Sequence, residues 1–449
     1  MSYASAVEQL YELGHELART PSHKFDLAHM RVLLDALGNP QRDFRSVLIA
    51  GTNGKGSTAA TLSSVIQAAG HKTALYTSPH LVRVNERLRV NGVSIVDDDF
   101  TAVYEHVEAA AQGLVREGKL PWHPSFFEML TAMAFVYFAE VGVEVSVLEV
   151  GMGGRLDATN VVEPVVAVIT DISLDHQKFL GNSIAEIAHE KAGIIHENGL
   201  VVTLPQHPAA NDAIGKAVLE RNARAVSAVQ YMPPVSPESE AVWAQTARNR
   251  YPLSAMGREI TVDSPLVGRH QLRNLALAIA TAEQLNEAGI RITADAIERG
   301  IRETHWPGRF QIVPASEDFP EIVLDVAHNT DGAWALRSAI SERYEGRPIT
   351  LLFAVLRDKA VGEITQVLFP LADHVVVTGV GNPRSASPEE VAEAALRSGT
   401  EVKKAANFAD AAREALDVSP QNGVLVITGS IYLVGEALQW LERQNRVKI

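Results

Sequence analysis

A chain of 449 residues is longer than one hydrophobic core usually serves, so two domains are expected. Hydrophobic residues at 46% and charged residues at 21% give the balance of a globular protein, while a net charge of −14 without a long basic run excludes nucleic acid as an expected partner. The lack of cysteine removes disulfides, thiolate metal sites and cysteine nucleophiles, and fits a cytoplasmic protein.

The N-terminal stretch MSYASAVEQLYELGHELAR is amphipathic and mildly acidic, unlike a signal peptide. No apolar run approaches the ~20 residues needed to cross a bilayer, so the expectation is a soluble monomer that makes no membrane contact. Short runs rich in β-branched residues come next: SVLIA (46–50), KTALYT (72–77), EVSVLEV (144–150), PVVAVIT (164–170) and GLVVTL (199–204). These read as strands. Helical periodicity fills the gaps: Thr58 to Ala69 is one such stretch, stopped at Gly70, and Phe100, Val103, Tyr104, Val107, Ala111 and Leu114 form an apolar stripe.

From about 225 to 267 the alternation lapses; YMPPVSPESE carries three prolines, and the residues after it read as irregular or β-rich. A helix, HQLRNLALAIATAEQLNEAG (270–289), restores the pattern. Proline and glycine in ETHWPGRF (303–310) mark a linker. A second series then begins with IVLDV (322–326), ITLLFAV (349–355), HVVVTGV (374–380) and VLVITG (424–429). Strands alternating with helices predict an α/β fold with mostly parallel sheets. The expected domains are 1–302 and 311–449, joined by 303–310.

VLIAGTNGKGSTAAT (47–61) lies between the first strand and a helix. It departs from the usual phosphate-loop spelling: Ile49 stands where the first glycine belongs, and Gly56 separates Lys55 from the hydroxyl of Ser57. A glycine-rich turn that opens a helix still collects unpaired N–H groups and the positive end of the helix dipole around an anion. The expected nucleotide contacts are Thr52, Asn53, Gly54, Lys55, Gly56, Ser57 and Thr58. Lys55 supplies charge for the terminal phosphates, and Ser57 or Thr58 a hydroxyl for Mg²⁺. Ser78, Glu149 and His176 each lie at or beyond the carboxyl end of a predicted strand, where open parallel sheets bind ligands.

The spelling GTNGKGS resembles the phosphate loop of the Mur ligase superfamily. Its extra glycine resembles the folylpolyglutamate synthase and dihydrofolate synthase family within it. Further matches run along most of the chain: YTSPHLVRVNERLRVNG (76–92), EVGMGGRLDATN (149–160), ITDISLDH (169–176), HEKAGII (189–195), GRHQLRNLALAIA (268–280), WPGRF (306–310), LDVAHN (324–329) and ITGSIYLVGE (427–436). The resemblance implies an N-terminal phosphate-loop ATPase domain and a smaller, Rossmann-like C-terminal domain. It also implies that Ser57, Ser78, Glu149 and His176 hold Mg²⁺, although histidine is an unusual ligand for so hard a cation.

Lys191 follows a capping box made by Ser183 and Glu186, and shares a helical face with Ile184, Ile187 and Ala188. Either its stem snorkels to the surface or the lysine is paired or modified. The resemblance implies carbamylation of Lys191. It places Asp157 near a pterin ring, from whose 2-amino and ring N–H groups a carboxylate can accept; capping a helix or bonding within its own loop are the alternatives. Arg83, Arg87 and Arg89 form a cluster suited to an anionic substrate, or else line a solvated strand, and only Arg83 is carried forward. Phe127 would stack on a heterocycle or fill the core. Asn274, Arg309, Asp325 and His328 resemble nucleotide contacts, with Arg309 placed to stabilise the moving phosphoryl group. Lys359 and Ser430 are candidates for the glutamate or cleft surface.

The implied reaction joins L-glutamate to a folate or to dihydropteroate with ATP, through an acyl phosphate, with catalysis by Lys55, Glu149, His176, Lys191 and Arg309. Closure about the 303–310 linker would exclude water from the intermediate. A peptidoglycan ligase of the Mur type would carry a further domain ahead of the loop, for which residues 1–50 leave little room. A nucleotide-binding regulator without catalysis is the other alternative, and ATP turnover separates the two.

Overall fold

The computed structural model describes residues 1–14, 27–233 and 248–448. Most of the proline-bearing stretch 231–240 lies outside the described residues, as does the end of the N-terminal amphipathic segment. Two compact units are present. The first comprises Met1–Met232, Pro252–Thr261 and Arg273–Thr304; the second comprises Pro233–Tyr251, Val262–Leu272 and His305–Ile449.

The first unit is built on eight strands: β1 (Arg45–Ala50), β2 (Thr73–Tyr76), β3 (Leu88–Val90), β4 (Val93–Ser94), β5 (Val145–Glu149), β6 (Val166–Ile169), β7 (Leu200–Thr203) and β8 (Arg224–Ser227). Their order in the sheet is β4-β3-β2-β5-β1-β6-β7-β8. Pairing is parallel from β2 through β8, and only β3 and β4 add antiparallel edges. The mostly parallel sheet expected from the β-branched runs is thus present. The central strands are covered on both faces, so their sequences are apolar throughout; β1 and β5 are buried at every position from Ser46 and Val145 onward.

The stripe from Phe100 to Leu114 is the buried face of helix Asp97–Arg116, which opens with Asp97, Asp98 and Asp99 at the positive end of its dipole. Ser125 and Glu128 cap the next helix, Phe126–Glu140, reciprocally. Both helices feed one core with Leu48, Tyr76 and Leu148.

A separate two-stranded sheet is formed by β9 (Asn249–Ala255) and β10 (Arg258–Ser264), the β-rich stretch anticipated after the prolines. The second unit's main sheet contains β11 (Gln311–Val313), β12 (Glu321–Leu324), β13 (Ile349–Phe353), β14 (His374–Val377), β15 (Val402–Lys404) and β16 (Val424–Thr428), in the order β11-β12-β16-β13-β14-β15. It is parallel except for β11. Its own core includes Val323, Phe353, Val377 and Val426. Among the described residues, no helix is long and apolar enough to cross a membrane.

Candidate active site

Sheet order determines which side chains meet in the first unit. β1 lies between β5 and β6, with Ile49 paired to Glu149 and Ala50 to Ile169. β2 lies beyond β5, with Tyr76 opposite Leu148. The segments leaving the carboxyl ends therefore present, in spatial order, Ser78, Glu149, the Gly51–Thr58 loop and the segment carrying Asp171 and His176. Strand crossovers run to opposite sides of β1 here, the arrangement in which α/β sheets open a crevice for ligands.

The loop is held by its own backbone and by its neighbours. Thr52 N and Asn53 N donate to the Asp171 carbonyl at 2.8 and 3.1 Å. Asn53 Nδ2 reaches Ser173 Oγ at 3.1 Å, and Thr52 Oγ1 donates to the Ser173 carbonyl at 3.1 Å. Gly54 caps helix Lys55–Ala68 at φ +87°, a left-handed conformation that favours glycine. A Cβ there would lie 2.1 Å from Asn274 Oδ1, which puts the Asn274 amide against the loop. The helix begins at Lys55, before the apolar stretch read from Thr58, with Gly56 and Ser57 buried on its first turn. Thr58 Oγ1 is buried on the first turn and has no hydrogen-bond partner among the described residues.

Two lysines converge on one carbonyl. Lys55 Nζ donates to Gly51 O at 3.1 Å, and Lys191 Nζ donates to the same oxygen at 2.7 Å. Ser183 and Glu186 form the expected capping box on helix Ile184–Ala192, and Ile187, Ala188 and Lys191 are all buried along it. The lysine thus does not snorkel to solvent. Burial, and then the Lys55 charge, push the Lys191 ammonium down to about 7, against the opposing pull of Asp175 and Asp157.

Ser78 N donates to Glu149 Oε2 at 3.3 Å, tying these two expected metal ligands together. Glu149 is buried at the carboxyl end of β5. His176 takes a left-handed conformation ahead of the short helix Gln177–Leu180, with Nε2 4.0 Å from Asp175 Oδ2. Among the described residues no group of three or more His, Asp and Glu side chains gathers as a metal cage. The candidate donors, two serine hydroxyls, a carboxylate and an imidazole, are mostly hard oxygens, a donor chemistry that would fit Mg²⁺.

The substrate candidates divide. The Phe127 ring crowds Gly151, two residues past Glu149, closely enough that a Cβ there would meet Cζ at 2.6 Å, and it tilts against Tyr76. Asp157 is buried and bonds its own loop: Oδ1 accepts from Thr159 N and Oγ1, and Oδ2 from Met152 N. Burial raises its pKa, and those hydrogen bonds oppose the rise. Arg83 is half-exposed, pairs with Asp97 at 2.7 Å and lies over the Tyr3 ring. Its neighbour Arg87 is buried against Phe126 and donates to His80, so the three arginines do not form one exposed cluster.

In the second unit, Asp325 follows β12 and is buried, accepting from Phe310 N at 2.8 Å and Ala327 N at 2.9 Å. Burial raises its carboxyl pKa, and the Arg309 guanidinium is the largest influence against that rise. His328 Nδ1 bonds the Val326 carbonyl at 2.8 Å. Ser430 caps helix Ile431–Arg443 by accepting from Tyr432 N. Lys359 lies in the turn after β13, where its N–H donates to Leu356 O.

The residues that sequence reasoning did not single out are Asp171, Ser173, Asp175 and Arg273. Asp171 and Ser173 hold the loop from the β6 side, and Arg273 grips Asp171. The available signal was slight: polar residues clustered immediately after an apolar strand.

Residues 49–282 match the Mur ligase middle domain, and residues 308–431 match the glutamate ligase domain of Mur ligases. Folylpolyglutamate synthase of Lacticaseibacillus casei is 35% identical over 448 residues, covering 98% of this chain and 99% of its own. The chain belongs to the folylpolyglutamate synthase and dihydrofolate synthase family of Mur ligases. As a member of that family it is an ATP-dependent ligase. The family's dihydrofolate synthase/folylpolyglutamate synthase from Bacillus subtilis is 34% identical over 421 residues, 91% of this chain and 93% of its own. A crystal structure of the family's Mycobacterium tuberculosis folylpolyglutamate synthase, complexed with ADP and AMPPCP, superposes with a TM-score of 0.87 at 33% identity and covers 98% of both chains.

Proposed function

We propose that this ligase adds L-glutamate to a folate or folylpolyglutamate, and also to dihydropteroate, through an acyl phosphate. The observation that carries the reading is the meeting of Lys55 and Lys191 on the Gly51 carbonyl, with Glu149 one strand away from β1 and linked there to Ser78, which follows the next strand. Relatives named for both activities support the double substrate range.

A carboxylate does not condense with an amine in water, because hydroxide leaves poorly. Transfer of the γ-phosphoryl group of ATP to the substrate carboxylate forms an acyl phosphate and ADP. The glutamate amine then attacks the acyl carbon; the C–N bond forms, the C–O bond to phosphate breaks, and the amine's proton passes to solvent. Lys55 and Arg309 offset negative charge as the phosphoryl group moves. Ser57, Ser78, Glu149 and His176 are the residues that would hold Mg²⁺, which when bound neutralises phosphate charge. Asn274, Asp325 and His328 are assigned to the nucleotide.

Lys191 is assigned as a carbamylated residue. Its low pKa leaves much of the amine neutral near pH 7, and only a neutral Nζ can attack CO₂, forming an N–C bond and releasing a proton. The resulting carboxylate would lie beside Lys55. Asp157 is assigned to the pterin by its place in the motif; its own loop already supplies donors from Thr159, Met152 and Gly151, so a pterin N–H would have to share or displace one of them. Phe127 offers a ring face to that heterocycle, and Arg83 and Ser430 are assigned to the anionic parts of the substrates.

The test weighs products. Purified protein is incubated with MgATP and glutamate, and dihydropteroate or tetrahydrofolate is offered separately. Each should gain whole glutamyl residues with matching ADP release. ATP turnover that ignores both pterins in the presence of glutamate would overturn the assignment.

A further inference from the structure

Asp171 acts through two different groups. Its main-chain carbonyl accepts two consecutive N–H groups of the phosphate loop, from Thr52 and Asn53. Its carboxylate is gripped by Arg273, with Nε 2.9 Å from both oxygens and Nη2 2.6 Å from Oδ1. The same Nη2 donates to the Pro205 carbonyl at 3.0 Å, which fixes the guanidinium from a second side. Arg273 immediately precedes Asn274, whose Oδ1 lies against Gly54 at the far end of the loop. One dipeptide of helix Arg269–Glu287 therefore touches both flanks of the loop, the first residue through Asp171 and the second directly.

We propose that the Asp171–Arg273 pair is a latch that holds the phosphate loop in its nucleotide-binding shape. Both are positioning residues, acting on the nucleotide through the loop and through the placement of Asn274. A forked guanidinium held by two carboxylate oxygens fixes direction as well as distance, which a lysine ammonium does not. The latch matters because N–H groups bind phosphate well only when they are aimed before it arrives. The inference rests on the loop being the ATP site and goes beyond that assignment by naming what sets its geometry.

The full-length chain and its D171A, R273A, R273K and D171A/R273A variants are compared for ADP and AMPPCP affinity by calorimetry, and for KM towards ATP and towards the pterin substrate. The latch predicts nucleotide affinity weakened about threefold to tenfold in each single variant, R273K included. It predicts a double variant no weaker than the worse single and an unchanged KM for the pterin. Unchanged ADP affinity in folded R273K would overturn it. So would additive losses in the double variant, or equal rises in KM for ATP and pterin, which would mark a general structural role. Because R273K keeps the charge, it guards against a D171A variant that fails to fold. Wild-type protein that binds no ADP would sink both the loop assignment and the latch. Wild-type protein that binds ADP but ligates no glutamate would sink only the proposed reaction, and ADP affinity would still read the latch.

Discussion

Lys191 concentrates the residue-scale chemistry of this protein. An ammonium has no lone pair, so CO₂ uptake requires the neutral form, and burial beside Lys55 brings the pKa down to about 7. Below that value the buried amine holds its proton and stays inert; as pH rises through it, the reactive fraction grows. Under a fixed concentration of dissolved ¹³CO₂, the protein should show a carbamate resonance that strengthens from about pH 6 to about pH 8. The same signal should be absent from Lys191→Arg. A signal with the opposite pH trend, or one that survives in the arginine variant, would reject carbamylation.

This lysine is legible in the sequence because a cation on an apolar helical face is conspicuous. Its hydrogen-bond partner is not, because a main-chain carbonyl carries no residue-type signature. Asp157 shows the same limit from the other direction. Its presence in the motif is evident, but only coordinates show how much of its accepting capacity its own loop already uses.

At the scale of elements, helices Lys55–Ala68 and Ala294–Glu303 cross at Gly300, where an added Cβ would meet Val65 Cα at 2.4 Å and Val65 N at 2.6 Å. Ser64 Oγ also donates to the Gly300 carbonyl at 2.7 Å. Backbone cannot yield as a side chain can. Gly300→Ala should therefore cost about 1–3 kcal/mol in urea unfolding, with activity per folded molecule nearly intact, since the helix start at Lys55 is remote from Val65. Loss of ADP affinity without loss of stability would contradict this account.

The strands read from sequence are the buried ones, β1, β2, β5, β6 and β7 of the first sheet and β12, β13, β14 and β16 of the second. A strand covered on both faces writes itself as an apolar run. β8 and β15 leave no such mark because they are edge strands with largely exposed residues, so nothing in RAVS or VKK sets a period. β3, β4 and β11 are only two or three residues long.

At the scale of the whole molecule, the acidic surface implied by a net charge of −14 should repel polyanions. Duplex DNA should fail to shift in electrophoresis with this protein even at low ionic strength, while ADP binding in the same buffer remains measurable. Retention of DNA would show a basic surface that the composition hides. The small anionic ligand assigned to the glycine loop is reconciled with this bulk charge by local means: the start of helix Lys55–Ala68 and the Lys55 charge.

The pairing of Ile49 with Glu149 has one more consequence. Alternate residues of a strand project to opposite faces, so sliding β5 along β1 by a single position would turn the carboxylate to the opposite face of the sheet and bring a valine or a leucine into its place. An insertion or deletion within β5 would thus act as a misread vernier: the protein could keep its sheet, its cores and its glycine loop and still present oil where the proposed metal site needs a carboxylate.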